Sequence, residues 1–190
     1  MRYLVFDTET TGLPNNSKQS ALLAPDNWPH LVSISWVILD SKTIVKERSY
    51  IIQPKWEIPE ESTRIHGITQ QQAQAEGTEL SVVMKEFTNE KYNILVAHNM
   101  NFDYNILINA IKWDLNWEFQ PIEKRICTME LSKNICKIPF PNGRGYKYPK
   151  LAELYRCLFH INPDILKLHT SAYDVHLLAE CIMNSNLLIM

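Results

Sequence analysis

Asp7 and Glu9 stand two residues apart behind the apolar run Tyr3-Leu4-Val5-Phe6. In an extended strand, residues i and i+2 project from the same face, so the two carboxylates point the same way. Neighbouring anions repel, and burial raises the cost. Either they are solvated acids of a surface turn, or a positive partner holds them. Asp103 closes the stretch AHNMNFD (97–103), just behind a second apolar run. There it either sits at a helix start, where the dipole favours an anion, or joins the first two acids. Asp174 closes HTSAYD (169–174), within an otherwise apolar helical pattern, and His169 precedes it by five residues. Four oxygen donors of this kind suit a hard divalent cation, Mg2+ or Mn2+. Two such ions about 3.5–4 Å apart can bracket a phosphodiester, one activating water and one stabilising the leaving oxygen. A nearby imidazole, His169, can take the proton from that water.

These residues need elements to hold them. Residues 2–6 read as a short buried strand. Residues 31–40 (LVSISWVILD) and 43–54 are rich in β-branched and aromatic residues around an Asp40-Ser41 turn, which predicts a hairpin. With the first strand they form an antiparallel meander. Residues 15–29 form a long polar loop, and 58–69 a loop with a short helical turn. Thr69 is expected to cap a helix over 70–75, and Thr78 one over 79–90. Residues 93–99 give another buried strand. Apolar positions Phe102, Ile106, Leu107, Ala110, Ile111 and Trp113 recur at helical spacing over 101–113. Residues 125–131 enter a helix from a short strand, and 150–159 and 171–185 are helical by period. Strands in a meander followed by strand–helix alternation predict an α/β sheet with helices on its faces.

The chain has 190 residues, 45% apolar and 21% charged, a globular composition of single-domain size over residues 1–190. Net charge is −2, which excludes a uniformly basic nucleic-acid binder. Residues 123–150 nevertheless hold seven Lys or Arg (Lys124, Arg125, Lys133, Lys137, Arg144, Lys147, Lys150) against Glu123 and Glu130. This segment is either a solvated loop or a surface facing phosphate. The four cysteines include no C-x-x-C pair, and the N-terminus does not read as a signal peptide. A reduced cytoplasmic protein with buried thiols and no zinc is expected. No apolar run approaches membrane-spanning length, so no membrane association is expected.

FDTETTGL, AHNMNFD and HTSAYD resemble, in order and spacing, the three motifs of the DEDDh 3′–5′ exonucleases, the DnaQ-like superfamily. RIHGIT (64–69) resembles that family's link between the third strand and the next helix. The resemblance implies an RNase H-like fold, a five-stranded mixed sheet flanked by helices. It also implies two Mg2+ or Mn2+ ions. Asp7, Glu9 and Asp174 would hold one, and Asp7 with Asp103 the other. His169 would be the general base. Leu13 and Ile65 would wedge against terminal bases, and Phe102 would pack on the terminal sugar or base. Thr8 and Thr10 would contact the terminal nucleotide through backbone groups, and Asn99 the scissile region. The implied partner is nucleic acid with a free 3′ end, single-stranded or frayed, with DNA favoured over RNA.

Two other functions fit the same fold: a catalytically silent binding module and an RNA-trimming exoribonuclease. The first is disfavoured because all four acids are present. The chain stops at Met190 soon after the last helical pattern, which gives the expectation of a free-standing enzyme rather than a polymerase-tethered subunit. His98, near the second motif, is read as structural because His169 already fills the base position.

Overall fold

The computed structural model describes residues 1–185 and 187. Its centre is a five-stranded sheet of β1 (Arg2–Thr10), β2 (Leu31–Asp40), β3 (Thr43–Ile51), β4 (Ile94–Ala97) and β5 (Arg125–Cys127). The strand order is β3-β2-β1-β4-β5. β1, β2 and β3 pair antiparallel, as the alternating hairpin sequence predicts, whereas β4 joins β1 and β5 joins β4 in parallel. The helices are α1 (Glu60–His66), α2 (Gln70–Glu76), α3 (Leu80–Asn89), α4 (Met100–Ile108), α5 (Thr128–Cys136), α6 (Leu151–Phe159) and α7 (Ser171–Met183). No described helix is long and apolar enough to cross a membrane.

The two faces of β1 are sorted by parity. Leu4 and Phe6 pack with Trp36, Phe87 and Ile106 of β2, α3 and α4. Val5 packs on the opposite face with Val37, Val96, Val175 and Leu178, under α7. Phe87 meets Trp36 edge-on at 5.3 Å and Phe6 at 5.6 Å, a close-packed aromatic knot. Continuing the alternation sends Asp7 and Glu9 to the α7 side and Thr8 to the α4 side.

Three expectations change. β1 does not stop at Phe6 but runs through both acids to Thr10. Asp7 lies opposite Ser35 and Glu9 opposite Ser33, so β2 supplies a polar continuation for the pairing. Thr69 does cap α2, its side chain accepting from Gln72 N–H at 3.0 Å. Thr78 does not cap α3. Its backbone is drawn into pairing with β3's extension, donating to Ile51 O and accepting from Gln53 N–H, and Glu79 takes the cap position. Of the four thiols only Cys181 is buried, the other three being half-buried.

Residues 15–29 contain one short turn of helix (Pro25–Asn27) and otherwise lie against α4. Asn105 accepts from Ala21 N–H, and Asn109 donates to the carbonyls of Trp28 and Pro29. Beyond Ile108 the helix widens into a turn over Asn109–Asp114, closed by Leu115 N–H on Ala110 O. That turn places Trp113 Nε1–H on Ala21 O (2.6 Å) and Lys112 Nζ on Leu22 O (3.2 Å). The loop's backbone groups are thus satisfied by its own turns and by helix side chains rather than by a second strand.

Candidate active site

The site forms where β1's acids leave the core. Asp7, Glu9 and Asp174 each bring one carboxylate oxygen to within 4.8 Å of the others. β1's parity supplies the first two, and α7 crosses that face to supply the third. The start of α7 is pinned by hydroxyls. Ser171 Oγ lies 3.0 Å from Ser33 Oγ and 2.8 Å from Ser35 Oγ, and Ser35 donates to Ser49 at 2.9 Å. This buried serine cluster fixes the height of α7 above β2, and hence of Asp174 above Glu9. The only sequence signal for it was two serines at i and i+2 inside an apolar strand, and their partner is 136 residues away or more.

Asp103 comes from the first turn of α4 and approaches β1 from the other side. Thr8 gives it both an amide hydrogen (3.1 Å) and a hydroxyl hydrogen (2.7 Å), and both go to Oδ1. Oδ2 takes no part in these bonds, and Asp103 is not among the three acids that converge within 4.8 Å. The Thr8 amide, one of the backbone groups expected to contact the terminal nucleotide, thus donates to Asp103, and the buried Thr8 hydroxyl supports the same carboxylate. Thr10 is also buried, and its hydroxyl donates to Gly12 O at 2.7 Å.

The electrostatics are those of buried anions crowded together. Burial, then the charges of Asp103, Asp174 and Glu9, hold the Asp7 carboxyl well above the ordinary range. Burial, then Asp174 and Asp103, push Glu9 up to about 8. Burial drives Asp103 to about 7 even against Thr8's two hydrogen bonds. Asp174 is raised to about 6, again by burial, although His169 N–H donates to its Oδ2 at 3.1 Å. Asp174 Oδ1 is buried with no hydrogen-bond partner among the described residues. An orphaned carboxylate oxygen beside two further acids is a donor set that fits a hard cation.

The other expected residues differ in exposure and contacts. His169 is exposed, in a left-handed backbone conformation (φ 64°) two residues before α7. Leu13 and Ile65 are 82% and 60% exposed. Phe102 packs against Trp28 at 6.1 Å and is partly buried. Asn99 is exposed and left-handed (φ 79°) at the start of α4. His98 is structural in its contacts: one ring nitrogen meets Thr128 Oγ1 and the other Pro149 O, each at 3.0 Å. Burial holds it down at about 4. His66 is also buried, Nδ1 accepting from Ile68 N–H, and His176 meets Glu47 on the surface of α7.

A sequence profile described as exonuclease matches residues 4–182. A PolC-type DNA polymerase III from Thermotoga petrophila is 33% identical over 154 residues, 80% of this chain and 10% of the polymerase. The 3′-5′ exonuclease DinG of Staphylococcus aureus is 28% identical over 153 residues, 80% of this chain and 15% of that protein. The chain thus spans a small fraction of these curated relatives. Among solved structures, exonuclease X in complex with 5′ overhanging duplex DNA superposes with a TM-score of 0.63 at 26% identity, covering 95% of this chain and 89% of that one. Escherichia coli exonuclease I with a dT13 oligonucleotide gives a TM-score of 0.72 at 14% identity, over 96% and 40% of the respective chains, a likeness of fold. The sheet order, the flanking helices and these matches agree, and the chain belongs to the exonuclease family of the DnaQ-like superfamily, as a nuclease domain with an RNase H-like fold.

Proposed function

We propose that this domain is a metal-dependent 3′–5′ exonuclease of the DEDDh type, which releases nucleoside 5′-monophosphates from 3′ ends, with DNA favoured. The observation that carries this reading is the convergence of Asp7, Glu9 and Asp174 within 4.8 Å, where burial and mutual repulsion raise Asp7 and Glu9. Asp7, Glu9, Asp103 and Asp174 would hold two Mg2+ or Mn2+ ions, which when bound supply positive charge to the phosphodiester and make water more acidic. The chain's own groups do the rest. His169 accepts the attacking water's proton on a ring nitrogen. Thr8 keeps Asp103 in register. Leu13, Ile65 and Phe102 offer apolar surfaces for the terminal nucleotide, and Asn99 faces the bond to be cut. In support, the exonuclease X and exonuclease I structures hold DNA.

A wedge around a single frayed end admits a terminus and not a continuous strand. Linear single-stranded DNA labelled at its 5′ end should shorten stepwise with Mn2+, while a circular strand of the same sequence stays intact. Cutting of the circle at a comparable rate refutes the exonuclease reading.

The basic segment divides in the structure. Arg125 lies 3.9 Å over the Tyr104 ring, and Lys133 4.8 Å over Tyr148. Lys147 is paired with Glu153 at 2.6 Å. These three are occupied. Residues 138–147 fold back as a small arm, closed by Lys147 N–H on Ile138 O and by Phe140 N–H on Gly145 O. Gly143 and Gly145 adopt positive φ at its tip, as that turn requires, and present the exposed Arg144 between them. His98 ties the arm's base to the β4 end through Pro149. If the arm contacts the strand's phosphates, Arg144→Ala should weaken binding of long strands several-fold and flatten the salt dependence by about one charge, while a dinucleotide is hydrolysed much as before. Equal losses on both substrates would make the arm a solvated loop.

A further inference from the structure

His30 and Trp56 lie face to face, ring centroids 3.6 Å apart and planes within 2°. His30 is held at both backbone and ring. Thr11 N–H donates to His30 O at 2.9 Å, and His30 N–H donates to the Thr11 hydroxyl at 3.0 Å. Both carboxylate oxygens of Asp114 lie 3.1 Å from His30 Nδ1. A carboxylate can only accept, so Nδ1 carries the hydrogen and the ring cannot turn freely. The Asp114 side chain is 5% exposed, brought there by the widened turn that follows α4. The segment that carries Trp56 is tied down on both sides. Gln53 N–H donates to Thr78 O (2.9 Å), and the buried Ile58 donates its N–H to Gln70 Oε1 (2.9 Å).

Despite this anchoring Trp56 keeps 37% of its surface exposed. His30 covers one side of the indole, so the open area lies away from the imidazole. Its position relative to the acids follows from the pairing. Thr11 follows the last residue of β1 and is two residues beyond Glu9, at most about 7 Å along the chain. His30 lies across from Thr11, about 5 Å between paired backbones. The stack therefore lies at the end of the sheet where β1 delivers its acids. Nucleobases stack on aromatic rings without regard to sequence, and a ring already immobilised gives up little freedom on binding.

We propose that Trp56, backed by His30 and clamped by Asp114, is a stacking platform for a nucleobase of the bound single strand, separate from the terminal wedge of Leu13, Ile65 and Phe102. This rests on the nuclease reading, so the experiment has an arm for each. Fluorescein-labelled oligothymidylate is titrated with the protein in Ca2+ and followed by anisotropy, and digestion by the wild type is measured in Mn2+. Trp56→Ala should weaken binding by about 5- to 150-fold, the range for losing one stacked base, and Trp56→Phe by much less. A single abasic residue moved along the last few positions of the strand should produce a similar loss at one position in the wild type. At that position Trp56→Ala should lose nothing further. Equal affinity of Trp56→Ala and wild type, or an abasic penalty that persists in Trp56→Ala, overturns the platform while digestion by the wild type leaves the nuclease reading standing. A wild type that neither binds nor digests the strand overturns both.

Discussion

Asp7→Asn is expected to lower hydrolysis by more than about 10³-fold, the scale of losing one member of an interdependent set, without lowering stability in chelator. Asp7 sits between the other acids, and its carboxyl is raised by the charges of Asp103, Asp174 and Glu9. Asparagine keeps its size and removes that repulsion. In millimolar Mg2+ the wild type should gain stability, because the folded chain alone gathers the four acids. At a hundredfold excess over Kd the gain is about 2.7 kcal/mol, or roughly 5–10 °C for a chain of this size. The melting temperature of Asp7→Asn should hardly respond. The sign of the pH dependence follows from the same shifts. Glu9, Asp103 and Asp174 titrate near 8, 7 and 6 in the fold, all above their unfolded values near about 4. Their protonated forms therefore favour folding below about pH 4, and this contribution is lost as pH rises through about 8. In chelator the wild-type melting temperature should fall over that window, and Mg2+ should offset the fall at its upper end. An Asp7→Asn protein that still digests DNA would overturn the assignment.

The second large effect is expected at His169. Its backbone N–H bonds to Asp174, but its side chain is exposed and lies outside the group of converging carboxylates. His169→Ala should therefore lower kcat by about 10²–10⁴-fold, the usual worth of a general base, while the Mg2+ shift in melting temperature persists. The backbone here is left-handed, which asparagine tolerates better than most residues. His169→Asn is thus the control for local strain: it should melt like the wild type and be as inactive as the alanine variant. A variant with normal turnover and no response to Mg2+ would move His169 among the metal ligands.

What could be read from the residues was whatever depends on short-range geometry. The i, i+2 spacing of Asp7 and Glu9 survives because it is a property of any strand, and the Thr69 cap because it spans three residues. The hairpin of β2 and β3 was legible from its composition and turn. The end of β1 was not, since an acid ordinarily closes a buried strand and here Ser33 and Ser35 accept it as a neighbour. Thr78 misled because a hydroxyl before a helix resembles a cap whether or not its backbone is needed elsewhere. The Ser33–Ser35–Ser171 cluster, the Thr8–Asp103 bonds and the His30–Trp56 stack join residues far apart in sequence, and no local pattern announces them. Residues 15–29 read only as a long polar loop because their partners are the asparagines, lysine and tryptophan of a helix, 80 or more residues on.

The parity of β1 has a consequence for how such a domain can change over evolutionary time. One face of the strand carries Leu4, Phe6 and Thr8, and the other Val5, Asp7 and Glu9. The strand behaves like a reading frame. Deleting or inserting one residue ahead of Asp7 would exchange the two sets, aiming carboxylates into the aromatic knot and the Asp103 support toward α7. Core and chemistry would fail together, from a lesion that touches neither. Substitution is then the only gentle route open to this segment, and length variation must be confined to places such as residues 15–29, where side chains hold the backbone and no alternation has to be kept.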